Sequence, residues 1–441
     1  MSEKMLRIAW LGPAPGEDGG VPGVATELLG GLAALGHRID CFFPSSGQPI
    51  PDRLSGNPNI AFIWGTAVWD WDRWYSRTRI AAFISGMLVR GLASLRLGRE
   101  IARRHEQQPY DLIYQFSTIE SLGVPSRVRR SVPLVIHPET HSAGELRALI
   151  AERRLALRCQ SRLRFAAVAT IMLVRALAQR RRIRHARLLV CISSVFRDHL
   201  VRDYGFPRED TVVVPNPVRV ERFPPTERGL GDPPTVLVLG RIAARKGIED
   251  VVAVAHSLLR RGQRARVRVV GGPSLWSDYT PLLEDLPAEN GEYAGLVPAS
   301  SVPAELAASD ILLQASRYEP FALTVGEALA AGVAVVATTE VGAIEGVDRR
   351  VLAEVAPGDV EAMTAAIVAL LDRLAADPGT MRAAARSQAQ QLFAPEVICE
   401  AISLALQRLL DDAGGSPGPA QRVSPNGTAP ATAGRRARAS R

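Results

Sequence analysis

The sequence predicts an α/β protein built from two successive βα-alternating domains. Three observations carry that expectation. Short apolar runs of the kind buried on both faces of a parallel sheet recur along the chain, separated by helix-length stretches. A proline-dense segment, residues 216–234, divides the series in two, because it can hold neither a long helix nor a central strand. The length, 441 residues, suits two domains of roughly 100–200 residues with additions.

Residues 6–11 read as a strand, 21–35 as a helix with Pro22 in its first turn and Gly36 just past its end, and 38–43 as a second strand. This is a βαβ unit, the seed of a parallel sheet. Strands follow at 112–115 and Leu134–His137, with helices between them, and 188–192 closes the series. The first domain is thus 1–215 and the linker 216–234. A second domain, 235–394, restarts the alternation: strand 236–239, helix Ile248–Arg260, strands 267–270 and 311–313, helix 322–331, strand 334–337 and helix 360–374. A helix at 395–410, assigned to a segment 395–412 with the option of crossing back to the first domain, precedes residues 413–441. That tail is rich in Gly, Pro, Ser, Ala and Arg and is expected to be disordered, since it cannot bury enough apolar surface to offset its ordering entropy.

A hydrophobic fraction of 47% excludes a wholly disordered or collagen-like chain. The net charge is +8, from 53 basic and 45 acidic residues, and only Lys4 and Lys246 among the basic ones are lysines. Cys41, Cys159, Cys191 and Cys399 are far apart and have no zinc spacing, so four free thiols in a reducing compartment are expected. The N-terminus shows no signal-peptide core, and the longest clean apolar run, 165–174, is half of the ~20 residues that a spanning helix needs. The expectation is a cytoplasmic protein that spans nothing.

Three loops carry candidate chemistry. Residues 16–23, with Gly19 and Gly20, lie between a strand and a helix N-terminus, where amide groups and the helix dipole favour an anion. The spacing is not G-x-G-x-x-G, which disfavours a nicotinamide dinucleotide; an ordinary βα turn is the plainer reading. In Gly240-Arg241-Ile-Ala-Ala-Arg245-Lys246-Gly247, Arg241 leaves a strand and Lys246 opens a helix, so both cations can meet a diphosphate at the C-terminal edge of the sheet. Lysine is not interchangeable with arginine at a tight phosphate site, which explains its survival in an arginine-saturated chain. In Glu319-Pro-Phe-Ala-Leu-Thr-Val-Gly-Glu327, one carboxylate lies on a loop and the other inside the next helix. The amides of Phe321, Ala322 and Leu323 face outward between them. A carboxylate accepts two hydrogen bonds from vicinal hydroxyls of a ribose or a hexose.

At these residues the sequence resembles the retaining GT-B glycosyltransferases of family 4. The stretches that carry the resemblance are GGVPGVATELLGGLAALGHRID, SSVFRDHLVRDYGFPREDTVVVPNPVRVERFPP, GRIAARKGIEDVV and SRYEPFALTVGEALAAGVAVVAT, within residues 5–410. The resemblance implies a GT-B architecture, two Rossmann-like domains facing each other across a cleft, with a nucleotide-diphosphate sugar held in the second domain. Arg241 and Lys246 would neutralise the diphosphate, Glu327 would bind the ribose, and Glu319 with the Phe321, Ala322 and Leu323 amides would hold the sugar. It also implies reaction without a catalytic metal or other cofactor, with the leaving diphosphate taking the acceptor proton. A first-domain histidine facing the donor sugar is implied too: His137 and His141 both qualify, and His141 is favoured because His137 still sits within a strand. Two departures stand out. The family usually has glycine where this chain has Ala322, and V-x-x-N-G-V-D where it has Val213-Val-Pro-Asn216-Pro217-Val218-Arg219.

Asp70-Trp71-Asp72 looks like the D-x-D that holds manganese in the other glycosyltransferase fold, but no strand end is evident beside it, and it reads as acceptor-side or structural. Trp69, Trp71 and Trp74 could stack on a sugar or lipid, though aromatics at such spacing are more often packing residues. The arginine run 180–187 beside the apolar run 165–174 suits a membrane-surface helix, against the commoner case of a helix packed on its own domain with a solvated basic face. The leading expectation is a transferase acting on a glycan, lipid-linked or small-molecule acceptor in cell-envelope glycoconjugate synthesis, at the inner membrane face, without nucleic acid as partner. The competing classes are an inactive basic protein that binds membrane or nucleic acid, and a glycoside hydrolase using Glu319 and Glu327. Diphosphate-type cations beside the glutamates argue against the hydrolase.

Overall fold

A computed structural model describes residues 4–415 apart from 18, 46, 48, 68–78, 118–123, 226 and 274–277. Asp70, Trp71, Asp72, Trp69, Trp74 and the tail from 416 onward lie outside the described residues.

The first sheet is made of β1 (Arg7–Leu11), β2 (Arg38–Ser45), β3 (Ile60–Ala67), β4 (Leu112–Phe116), β5 (Leu134–His137), β6 (Leu188–Cys191) and β7 (Thr211–Val213). Their order is β3-β2-β1-β4-β5-β6-β7, with every pair parallel. The helices of this half are α1 (Val21–Ala34), α2 (Arg79–Gln107), α3 (Ser126–Ser131), α4 (Ser142–Ala151), α5 (Arg153–Cys159), α6 (Arg162–Ile183) and α7 (Ser194–Tyr204). β1, β4, β5 and β6 are buried almost throughout, which is why they read as unbroken apolar runs. The series does not close at residue 192 as expected: β7 adds a seventh strand, with partly buried side chains.

The second sheet, also all parallel, has the order β10-β9-β8-β11-β12-β13. Its strands are β8 (Thr235–Leu239), β9 (Arg266–Val270), β10 (Gly291–Gly295), β11 (Ile311–Gln314), β12 (Ala334–Thr338) and β13 (Leu352–Val355). Its helices are α8 (Ile248–Arg260), α9 (Val302–Ala307), α10 (Leu323–Ala330), α11 (Val360–Ala376) and α12 (Pro378–Phe393). The chain then enters α13 (Pro395–Gly415), which runs into what the composition marked as tail. Ile398, Cys399, Ile402 and Leu406 of α13 are buried in the first domain's core with Val24, Leu28 and Leu32 of α1.

Strand order reverses direction beside β1 and β4 in the first sheet and beside β8 and β11 in the second. Open parallel sheets bind ligands at such switch points, beyond the C-terminal ends of the strands. The loops after β1, β8 and β11 are the three that carry the candidate residues. The proline-dense segment is no free tether either. Val218, Val220 and Phe223 are buried, and the Val218 amide donates to the Phe393 carbonyl at 2.8 Å.

Candidate active site

Glu319 and Lys246 meet. The loop after β8 ends in a tight turn, Ala244–Lys246, followed by Gly247 at φ 65°. A Cβ at Gly247 would lie 2.1 Å from the Ala315 carbonyl oxygen, so the loops after β8 and β11 touch only because this position is glycine. Across that contact the Lys246 ammonium lies on Glu319 Oε2, and Arg245 Nη1 donates to the same oxygen at 2.7 Å. Arg245 was missed as a site residue, although it stands beside Lys246 in the same motif.

Burial opposes ionisation of Glu319, but the Lys246 ammonium and the Arg245 guanidinium outweigh it and hold the carboxyl well below the usual range. Lys246 is lowered too, since burial and the guanidiniums of Arg245 and Arg241 exceed the single carboxylate. The same downward shift favours the charged glutamate and the neutral lysine, because two cations share the Glu319 carboxylate; the geometry favours an ionised cluster with positive charge in excess. Arg241 is exposed and acts on Lys246 through its charge. Such a cluster, at the C-terminal edge of a sheet, suits an anion more negative than one carboxylate.

Eight residues beyond Glu319, Glu327 points at the other domain. A Cβ at Gly19 would be 3.4 Å from Glu327 Oε1 and 3.9 Å from Arg222 Nη1. Gly20 adopts φ 79°, open to glycine without strain, and ends the loop at the N-terminus of α1. Gly19, Gly20, Arg222, Phe223, Leu323 and Glu327 thus line a cavity of about 40 Å³ between the domains. Burial pushes the Glu327 carboxyl up to about 7, with Arg222 pulling it back down. Arg222 comes from the segment dismissed as a linker, and no motif marked it.

Between the two glutamates, Phe321 turns its ring into the core, edge-on to Phe393 at 5.8 Å. Its amide, with those of Ala322 and Leu323, opens α10. Ala322 caps the helix at φ 77°, in the left-handed region, where an alanine is strained by about 1–2 kcal/mol and glycine is not. The glycine usual at this position therefore has a backbone reason, which this chain overrides.

His141 does not offer its ring to the cleft. It is fully buried at the N-terminus of α4; its Nδ1 lies 2.9 Å from the Tyr318 hydroxyl and its Nε2 2.9 Å from Asp203 Oδ2. Desolvation lowers it to about 3, so the ring is neutral and joins α7 to the second domain's Tyr318. His137, also fully buried, has Nδ1 2.7 Å from the Tyr114 hydroxyl and Nε2 3.5 Å from Glu139 Oε1, while Asn216 Nδ2 donates to Glu139 Oε2 at 2.7 Å. Burial lowers His137 to about 3 and raises Glu139 to about 7, so the pair favours neutral forms. No motif marked these two buried pairs, Tyr114–His137 and Glu139–Asn216, whose members come from three separate segments.

More polar ties cross between domains. Glu345 accepts from the Ser194 amide at 2.9 Å and the Val195 amide at 3.1 Å, capping α7 from the second domain. Arg317 joins Glu152 at 2.7 Å to Asp250 at 2.9 Å. The cleft is closed around these contacts.

Two paired parallel sheets with this cleft define the class: a GT-B glycosyltransferase fold. The sucrose-phosphate synthase of Thermosynechococcus elongatus superposes with a TM-score of 0.65 at 20% identity, covering 92% of this chain and all of that one. Residues 18–222 match the family described as Glycosyltransferase Family 4, and residues 233–373 match Glycosyl transferases group 1. The chain belongs to family 4 of the glycosyltransferases. Among curated relatives, a mannosylfructose-phosphate synthase of Agrobacterium fabrum is 28% identical over 177 residues, 36% of this chain and 39% of its own. A GDP-mannose-dependent alpha-(1-6)-phosphatidylinositol monomannoside mannosyltransferase of Mycolicibacterium smegmatis is 32% identical over 227 residues, 47% and 58% respectively. The chain spans about half the length of these two relatives.

Proposed function

We propose that the protein is a retaining glycosyltransferase that moves a sugar from a nucleotide-diphosphate sugar to a glycan, lipid-linked or small-molecule acceptor, without a catalytic metal. The observation that carries this reading is the excess of positive charge at the second sheet's switch point, where Lys246 and Arg245 share the Glu319 carboxylate, Arg241 adds its charge to Lys246 and Glu145 acts on Arg245. A diphosphate supplies the missing negative charge. Glu327, facing Gly19 across the cavity, would accept from the ribose hydroxyls; Glu319 and the Phe321, Ala322 and Leu323 amides would hold the sugar.

In the step itself, the acceptor hydroxyl oxygen bonds to the anomeric carbon on the face that the diphosphate leaves. The bond from that carbon to the diphosphate oxygen breaks with its electron pair on the oxygen, which takes the hydroxyl proton. Lys246 and Arg241 stabilise the charge that develops there, so no separate protein base is needed. Held by Tyr318 through Nδ1 and set beside Asp203, His141 serves this scheme as a cleft-positioning residue. The phosphatidylinositol monomannoside in the name of the M. smegmatis relative supports a lipid-linked acceptor; an envelope role at the inner membrane face belongs to the same proposal.

The test is a thermal-shift and hydrolysis screen against UDP, GDP, ADP and their sugar conjugates, with and without EDTA. Stabilisation by one nucleotide diphosphate, indifferent to EDTA and absent in Lys246→Ala, is the expected result. No response to any nucleotide would overturn the reading.

A further inference from the structure

Helix α6 carries a surface that the transfer chemistry does not use. Its inward face is accounted for. Val168, Met172, Ala176 and Ile183 are buried, and buried Gln179 accepts from the Ser142 amide at 2.8 Å and from the Tyr204 hydroxyl at 2.6 Å. The outward face is not the polar one that a helix packed on a soluble domain ordinarily shows. Leu163, Leu173, Val174 and Leu177 are 85%, 48%, 53% and 58% exposed. With exposed Ala166 and Thr170 they recur at steps of three and four residues, which places them in one stripe along the helix.

The charge around that stripe has one sign. Residues 153–187 hold eleven arginines and not one Asp or Glu. Arg162 and Arg164 at one end of α6, and Arg180, Arg181 and Arg184 at the other, are exposed. A 22-residue helix is about 33 Å long, so the stripe is bracketed at both ends by guanidiniums.

We propose that the outer face of α6 docks on an anionic lipid surface, the helix lying in the plane of the interface with its aliphatic stripe among the acyl chains and its arginines on lipid phosphates. Charge excludes a second copy of this chain on the same face. Like faces would bring two arginine fringes together, with no carboxylate in 153–187 to relieve the repulsion. A nucleic acid would satisfy the arginines but leave four aliphatic side chains without an apolar partner. An anionic bilayer satisfies both. No described helix is long and apolar enough to cross a membrane, so the contact is one of lying on it. Phe165 at the start of α6 packs against the second domain's core, as do Leu155 and Cys159 of α5, so a docked α6 holds both domains and their cleft at a fixed height above the lipid.

Flotation of the full chain with vesicles of about one-third phosphatidylglycerol in phosphatidylcholine, beside pure phosphatidylcholine vesicles, tests this. The wild type is expected to rise with the anionic vesicles at low salt and to stay down with the neutral ones. L173D/L177D is expected to lower the bound fraction at least about tenfold, with an unchanged melting temperature because both positions are exposed. A triple R180E/R181E/R184E variant is expected to lose binding likewise. A chain that stays at the bottom of the anionic gradient, or that floats equally well as L173D/L177D, overturns the proposal. So does a wild-type dimer, seen by light scattering without flotation, that L173D/L177D dissociates. Donor hydrolysis without vesicles is expected to be unchanged in L173D/L177D. Failed flotation with intact hydrolysis therefore sinks only the docking, and failed hydrolysis with intact flotation sinks only the transferase reading.

Discussion

Glu319 and Glu327 belong to one nine-residue stretch, yet the fold puts them in opposite electrostatic situations. Glu319 lies under two cations and is held ionised; Glu327 faces a glycine loop across the cavity and is pushed up to about 7 by burial. The difference teaches that a carboxylate's role is set by what its neighbouring loops bring to it rather than by its spacing from another carboxylate. Glu319 balances the charge of Lys246 and Arg245, and Glu327 can change charge near neutral pH.

The sharpest way to break the comparison is Lys246→Ala. It removes half of the cation pair on Glu319 and a charge meant for the diphosphate, so turnover is expected to fall by about 10²–10³-fold in steady-state kinetics. Wild-type turnover in a folded Lys246→Ala protein would show that the cluster is only structural.

Glu327→Gln comes next. Losing a charged acceptor for the ribose is worth about 1.5–3 kcal/mol, or roughly tenfold to a hundredfold in nucleotide affinity by calorimetry. The pH dependence separates the two glutamates further. The folded-state value of Glu327 lies above the ~4.3 of an unfolded glutamate, so the native state holds its proton longer and stability falls as pH rises from about 4.5 to about 7. Nucleotide binding should tighten over the same window, because the ionised carboxylate is the better acceptor, and Glu327→Gln should flatten that profile. Glu319 has the opposite sign: its depressed value contributes stability above ~4.3 that is lost as pH falls below it.

His141→Gln is expected to lower the melting temperature, as loss of a buried hydrogen-bonding group costs about 1–3 kcal/mol. kcat per folded molecule should change much less than in Lys246→Ala; a loss as large would return His141 to direct contact with the sugar. The smallest effect belongs to Ala322→Gly. It relieves the left-handed strain at φ 77° but adds unfolded-chain entropy, so stability should rise by no more than about 1 kcal/mol. A drop in melting temperature would show that the methyl group packs better than its backbone strain costs.

The strands absent from the reading share a position. β3, β7, β10 and β13 are the four edges of the two sheets. Central parallel strands are covered on both faces and must be continuously apolar, so β1, β4, β5, β6, β8, β11 and β12 announce themselves. An edge strand is covered less: β10 is Gly-Glu-Tyr-Ala-Gly and largely solvent-facing, and β7 is three residues long. Helices α9 and α12 also escaped notice, the first being a six-residue turn and the second an alanine- and glutamine-rich helix with little apolar signature.

By itself the sequence determined the class of fold and the division into two parallel-sheet halves. Both follow from local pattern, whereas the contact of Lys246 with Glu319 came from the pairing of β8 with β11, which sets the loops after those strands side by side. Only the tertiary structure decided that Arg222 and Gly19 face Glu327, that His141 is enclosed between Tyr318 and Asp203, and that the Tyr114–His137 and Glu139–Asn216 hydrogen-bonded pairs are buried side by side. Those pairings join residues from separate elements, often across the two domains. Their electrostatics come from burial, which has no signature in a motif and arises only when the domains close on each other.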